Sequence, residues 1–185
     1  MPRVVAGKCK GTVLDAPKGD ATRPTTDKVK EALFSSIQMH VADSAFLDLF
    51  SGTGQMGIEA LSRGAETAVL VDQSGKSMQV IHKNIQKTHL EKEARPLKMP
   101  VSEALRLLGK EGATFDIIFM DPPYAMAATM AKTVSELIEK YGLLRKEGLF
   151  IVESDAETLI NENVTNMTCL KSCKYGSTLI TFFVE

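Results

Sequence analysis

Asp121-Pro122-Pro123-Tyr124, at the end of the apolar run Phe115–Met120, puts a carboxylate, two conformationally fixed residues and an aromatic ring in four consecutive positions. An exocyclic amine on a planar base is a poor nucleophile, because its lone pair is delocalised into the ring. A catalyst must bend such an amine out of plane and align it with an electrophile. The Asp121 carboxylate and the Pro122 carbonyl can each accept one amine hydrogen, and Pro122 and Pro123 fix the backbone so that the two acceptors converge. Tyr124 offers a stacking face for a base drawn out of its helix, worth about 1–3 kcal/mol. This chemistry requires no metal, serine nucleophile or catalytic histidine. Alone, the tetrapeptide also fits a rigid turn after a strand.

Roughly seventy residues earlier, Asp48-Leu49-Phe50-Ser51-Gly52-Thr53-Gly54 reads as a glycine loop after a strand, where missing side chains let backbone N–H groups approach a ligand. Gly52-x-Gly54-x-x-Gly57, with Asp72 twenty residues after Gly52, also satisfies the dinucleotide fingerprint. The tetrapeptide breaks that tie in favour of S-adenosylmethionine (AdoMet), whose methionine part carries both a carboxylate and an ammonium. Asp48 is placed for the ammonium. Asp72 can accept from both ribose hydroxyls or cap its strand, and Glu103 can meet the adenine amino group or serve as a first-turn helix acid.

These residues need a scaffold that converges on them. Apolar runs at Ala45–Phe50, Thr67–Val71, Phe115–Met120 and Gly148–Glu153, with a weaker one over residues 95–101, predict buried parallel strands. Helical periodicity predicts helices over Met56–Arg63, Ser74–Thr88, Ser102–Leu108 and Ala127–Tyr141 between them. Residues 26–40 predict a preceding helix with Val29, Leu33 and Ile37 inward and Thr25 or Thr26 as cap. Residues 165–173 and 177–184, joined through Lys174-Tyr175-Gly176, predict a terminal antiparallel hairpin. The expected fold is α/β and Rossmann-like, a seven-stranded mostly parallel sheet. The first and fourth core strands are then neighbours, so loop and tetrapeptide meet at the switch point where ligands bind.

At 185 residues and 44% hydrophobic content, one domain spanning 1–185 is expected, with an arm and helix over 1–40 and the core over 41–185. No run approaches the roughly twenty apolar residues of a membrane span, and the first residues lack a signal-peptide pattern, so a cytoplasmic location away from membranes is expected. Cys9, Cys169 and Cys173 indicate neither a disulfide framework nor a zinc site. Net charge is −1, yet residues 1–30 hold seven Lys/Arg against three Asp, a basic arm on an acidic body that suits phosphate binding on one face or a merely solvated segment.

Five segments then carry a family resemblance over nearly the whole chain. Arg23-Pro-Thr-x-Asp27 with Val29-Lys-Glu-Ala-Leu-Phe34, the glycine loop, Glu59-Ala-Leu-Ser-Arg-Gly-Ala65, Asp121-Pro-Pro-Tyr124 and Tyr175-Gly176 stand in the order of the bacterial 16S ribosomal RNA guanine-N2 methyltransferases, a class I AdoMet-dependent fold. The resemblance implies AdoMet with S-adenosyl-L-homocysteine as product, no metal, a monomer, and a guanine in a partly assembled small subunit as substrate. It implies cofactor contacts at Arg23, Thr25, Asp48, Phe50, Ser51, Gly52, Thr53, Gly54, Asp72, Gln73, Glu103, Ala104 and Asp121, with Arg23 and Thr25 closing over the ligand. Ribosomal RNA contacts are expected at Arg3, Lys8, Lys10, Arg23, Lys30, Lys174 and Tyr175. Lys30 and Lys174 stand where the family commonly has Arg, and Glu103 where Asp or Asn is usual; a Lys loses bidentate phosphate geometry. The tetrapeptide equally serves adenine N6 or a protein amide. An NAD-dependent oxidoreductase and a non-catalytic RNA-binding assembly factor are the alternatives from other classes.

Overall fold

In the computed structural model, which describes residues 1–17, 25–158, 160, 164 and 166–185, the apolar runs pair into one seven-stranded sheet of order β3-β2-β1-β4-β5-β7-β6. The strands are β1 (Ala45–Leu49), β2 (Thr67–Asp72), β3 (Ala94–Lys98), β4 (Phe115–Met120), β5 (Leu144–Asp155), β6 (Thr168–Tyr175) and β7 (Thr178–Val184). The first five are parallel, and the β6–β7 hairpin is antiparallel with β7 against β5. Helices α1 (Asp27–Ser36), α2 (Gln38–Val41), α3 (Gln55–Ser62), α4 (Gly75–Thr88), α5 (Val101–Lys110) and α6 (Ala127–Tyr141) cover both faces. This is the Rossmann-like α/β arrangement expected from the sequence.

Strands buried on both faces must be apolar at consecutive positions, and each alternate set feeds a different core. Phe46, Phe119, Ile151 and Phe182 pack against α1, α3 and α4 through Leu33, Phe34, Ile58 and Ile81. Leu47, Ile118, Phe150 and Phe183 pack on the other face against Leu105 and Leu108 of α5 and Val134 and Ile138 of α6. Phe34 and Phe46 stack with centroids 6.2 Å apart across the first layer. Burial of each such side chain contributes about 1.5–3 kcal/mol.

The boundaries differ from the sequence expectation at identifiable places. The helix expected over residues 26–40 breaks at Ile37 (φ −116°), where the Ser36 hydroxyl donates back to the Leu33 carbonyl and competes with the helical ladder. Val29, Leu33 and Ile37 are nonetheless all buried, and the Thr26 hydroxyl accepts from the Val29 amide as cap. β1 stops at Leu49 because Phe50 turns to φ +64°. β3 begins one residue early and ends at Lys98, since Pro100 already caps α5. β5 starts at Leu144, well before Gly148, through an irregularity in its pairing with β4 between Phe115 and Ile117. Gly148 is required there: a Cβ would sit 2.8 Å from the Arg145 carbonyl oxygen. The hairpin closes through Gly176 and Ser177, and β6 runs on through Lys174 and Tyr175, which the sequence pattern places in the turn. Thr165, expected to open that strand, lies outside the described residues.

Candidate active site

Four strand ends define the site. β1 presents Asp48, buried to 1% exposure, whose Oδ2 accepts the Gly57 amide of α3 at 3.0 Å. The following loop is pinned by Ser51 N donating to the Val71 carbonyl (2.9 Å) and Gly54 N to the Ser51 carbonyl (2.7 Å). Phe50, Gly52 and Gly54 all have positive φ, and Phe50 is the uncommon case because a side chain there is strained. A Cβ on Gly52 would meet nothing within 4 Å, so its backbone borders open space that a ligand can enter. β2 ends in Asp72, which accepts the Gly52 amide at 2.9 Å and the Ser74 amide at 2.8 Å. It therefore caps its strand and holds the glycine loop, with its carboxylate fixed beside that loop.

β4 ends at Met120 and leads directly into Asp121, whose amide donates to the Leu49 carbonyl across the β1–β4 boundary at 3.4 Å. Loop and tetrapeptide are thus adjacent. Pro122 is buried and Pro123 exposed, and the Pro123 carbonyl accepts the Met126 amide at 2.8 Å, closing a single 3-10 turn over Tyr124–Met126. The ring of Tyr124, expected to stack a base, lies outside the described part of the structure. At the end of β3, Glu103 is exposed in the first turn of α5 and Ala104 is buried; Gln73, after β2, is exposed.

Among the described residues, the electrostatics of the site are set by acids with no cation paired to them. Burial pushes the Asp48 carboxyl up to about 7, with Asp72 adding to the rise and the Gly57 amide opposing it. Burial, then Glu153 and Asp48, push Asp121 well above the usual carboxylate range. Burial likewise raises Glu153 of β5 to about 7, opposed by the Thr25 hydroxyl, which donates to its Oε2 at 2.9 Å. A cluster of acids of this kind suits a ligand that brings positive charge, and disfavours a pyrophosphate. No group of three or more His, Cys, Asp or Glu among the described residues could hold a metal ion, and Cys9, Cys169 and Cys173 are free.

Three supporting residues escape sequence reasoning. Glu153 reads as the polar end of an apolar strand. Asn84 of α4 is fully buried, and its carboxamide binds the Thr53 carbonyl (2.9 Å) of the loop and both backbone groups of Asp15, tying the N-terminal segment to the ligand loop. Glu59, fully buried in α3, accepts the Val5 and Ala6 amides at 2.8 and 3.0 Å and Arg63 Nε at 2.8 Å. The helical period alone marks only apolar positions on these two helices. Buried Thr53 Oγ1 and Gln55 Oε1 are without a protein partner among the described residues.

The residues expected to meet RNA separate into groups. Arg23, also a cofactor expectation, lies outside the described residues. Lys174 is exposed and Tyr175 half-buried beside the hairpin tip, which register places at the carboxyl end of β5: Tyr175 pairs with Thr178, and Thr178 with Asp155. Lys8 and Lys10 lie elsewhere. The Lys8 and Cys9 amides donate to Ser62 at the far end of α3, and Lys8 Nζ pairs with Glu93 at 3.2 Å, about 12 Å of helix away from the glycine loop. Arg3 is exposed and bonds Asp27 at 2.6 Å.

Lys30 must be corrected. Its side chain is fully buried, its ammonium lies 3.4 Å from Glu59 and donates to the Arg3 carbonyl, so it holds the N-terminal segment and cannot contact a phosphate. Lys30→Met is therefore expected to cost about 1–3 kcal/mol in urea unfolding, because the Arg3 carbonyl loses its donor and Glu59 keeps only Arg63 as an ion-pair partner, while the salt dependence of RNA binding stays that of the wild type.

The sequence pattern of the family described as "Conserved hypothetical protein 95" matches residues 2–184. The chain is 37% identical over 181 residues to "Putative rRNA methyltransferase YlbH" of Bacillus subtilis (strain 168), covering 98% of this chain and 97% of the relative. It is 34% identical over 155 residues to Ribosomal RNA small subunit methyltransferase D of Escherichia coli (strain K12), covering 84% and 75%. A solved structure of a hypothetical protein from Thermus thermophilus superposes with TM-score 0.85 at 27% identity, covering all of both chains.

Proposed function

We propose, from the premise that the chain belongs to the "Conserved hypothetical protein 95" family, shared with the bacterial small-subunit ribosomal RNA methyltransferases, that it transfers the methyl group of AdoMet to N2 of a guanine in 16S ribosomal RNA. One observation carries the reading. Asp121 lies against the end of β1, beside a glycine loop that rests on a buried acid. The acids at this junction fit the positive charge of AdoMet and not a dinucleotide's pyrophosphate, which disfavours the oxidoreductase alternative.

AdoMet, when bound, supplies an electrophilic methyl group on a positively charged sulfur. Asp48 holds the amino-acid end, while Gly52 and Gly54 let the backbone approach it. Asp72, already oriented by two amides, accepts from the ribose, and Glu103 and Ala104 border the adenine. On the other side of the junction Asp121 and the Pro122 carbonyl accept the amine hydrogens and turn the nitrogen lone pair toward the methyl group, with Tyr124 stacking the base. The whole chain, 1–185, is read as one catalytic unit, acting on a partly assembled small subunit.

The test is transfer from labelled AdoMet to undermethylated small subunits and to protein-free RNA, followed by nucleoside mass spectrometry. N2-methylguanosine supports cofactor, base and atom together. N6-methyladenosine keeps the chemistry and replaces the base, whereas no product on either substrate, with RNA binding intact, favours a non-catalytic assembly factor.

The substrate surface has its own expectation. If the hairpin tip beside the site carries the RNA, Lys174→Ala lowers the salt slope of RNA affinity by about one phosphate contact, and Lys8→Ala and Lys10→Ala lower it only if the RNA also reaches the opposite end of the sheet. Equal slopes for wild type and all three variants remove these lysines from the interface.

A further inference from the structure

The β4–β5 register aligns Met120 with Val152, which makes Asp121 and Glu153 the next residues on adjacent strands. Glu153 pairs with Ile180 of β7, and Ile180 belongs to the same core layer as Phe46, Phe119 and Ile151, so Glu153 points to that face. By the two-residue alternation of the strands, Asp48 and the position after Met120 belong to the same face. Glu153 is 3% exposed and Thr25, its hydrogen-bond donor, 6% exposed. Thr25 stands directly before the cap of α1, whose N-terminus favours negative charge nearby.

The described cations near this row are committed to other partners. Asp121 and Asp48 face Glu153 from β4 and β1, and Asp72 acts on Asp48 from β2. From α1, Asp27 is bound by Arg3 and Lys30 by Glu59; from α3, Glu59 is bound by Lys30 and Arg63. β7 contributes Ile180, and β6, one strand further out, contributes Cys173 and Tyr175. No lysine or arginine is paired with Glu153 among the described residues.

We propose that Glu153 is a positioning residue for methyl transfer: held by the Thr25 hydroxyl beside Asp121, its negative charge makes Asp121 the acceptor of the proton that the amine loses. This rests on the role given to Asp121 above. In the transfer a nitrogen–carbon bond forms as the carbon–sulfur bond breaks with its electron pair on sulfur, and the nitrogen is left with one proton too many. Asp121 takes that proton and passes it to solvent when the product leaves. A carboxylate beside a second carboxylate is a stronger base than one alone, which is the direction in which Glu153 moves Asp121.

Glu153→Gln preserves shape and the ability to accept from Thr25 but removes the charge. Its expected signature is AdoMet affinity within about twofold of wild type, kcat lowered about tenfold, and the acidic limb of the pH–rate profile moved down by about one pH unit. Glu153→Asp, which keeps the charge, restores part of the rate. A second readout needs no substrate: carbon-13 NMR titration of labelled aspartates, with the Asp121 signal identified by its loss in Asp121→Asn. In Glu153→Gln the Asp121 signal titrates at lower pH than in wild type. Thr25→Val leaves Glu153 in place, removes the bond that favours its ionised form and moves the same signal in the same direction by less, which serves if Glu153→Gln does not fold. An unmoved Asp121 titration overturns the proposal whatever the activity, as does a lower kcat with an unshifted acidic limb. A moved titration in an enzyme that methylates no RNA supports the coupling and counts against the RNA reading alone.

Discussion

Asp121→Ala is expected to lower methyl transfer to RNA by at least about 10²–10³-fold while AdoMet still binds, read by single-turnover transfer and by calorimetric titration of the cofactor. The size follows from the task. A delocalised amine gains little from being near an electrophile unless its hydrogens are drawn out of plane, and Asp121 supplies the one charged acceptor that the proposed geometry offers. Cofactor binding persists because the loop is pinned independently: Gly52 to Asp72, Gly57 to Asp48, Gly54 to Ser51 and Thr53 to Asn84. The same substitution removes a half-buried acid whose neighbours are acids, so the cofactor-free protein at pH 8 should lose no stability and is expected to gain some. Retained turnover would refute the role of Asp121, and loss of AdoMet binding would move it to the cofactor side of the site.

The contrast between Asp121 and Glu153 shows what a sequence of this kind discloses. Parallel strands buried on both faces must be runs of apolar residues, and a ligand site at their carboxyl ends must be punctuated by Gly, Asp and Pro. β1, β2 and β4 and the residues after them are therefore legible. Glu153 ends a similar run, but its significance depends on Thr25, which lies 128 residues away in the chain, and no spacing rule connects the two. Glu59 and Asn84 are of the same kind: each is a polar residue in an ordinary helix that binds backbone groups of the N-terminal segment more than fifty residues distant. Lys30 misleads for the complementary reason. A lysine in a basic segment is expected to face solvent, and only the packing of α1 on α3 reveals that Glu59 draws it inside. The early start of β5 and the break at Ile37 depend on a pairing irregularity and on a local side-chain bond, neither of which leaves a periodic mark.

Asp48 leads to the second large effect, a dependence of stability on pH that the cofactor should reverse. Asp48 titrates at about 7 in the folded protein against 3.8 ordinarily, and Glu153 at about 7 against 4.5. Because the folded values are raised, the protein binds these protons more tightly folded than unfolded. Their stabilisation is fully present below about pH 4 and is lost as pH rises toward and through 7. For Asp48 alone the difference across that window is on the order of 4 kcal/mol. The cofactor-free protein should therefore show a falling Tm between pH 5 and 8, opposite to a protein whose carboxylates are salt-bridged. A ligand ammonium beside Asp48 lowers the proton affinity of that carboxyl and offsets the loss, so the rise in Tm on adding AdoMet should be larger at pH 8 than at pH 6. Asp48→Asn separates the two effects: it should flatten the decline in the cofactor-free protein, making it more stable than wild type at pH 8, and weaken AdoMet binding most where the wild-type carboxylate is ionised. A wild-type Tm that rises between pH 5 and 8, or an AdoMet-induced shift that shrinks with pH, would show that Asp48 already has a cationic partner and does not hold the ammonium.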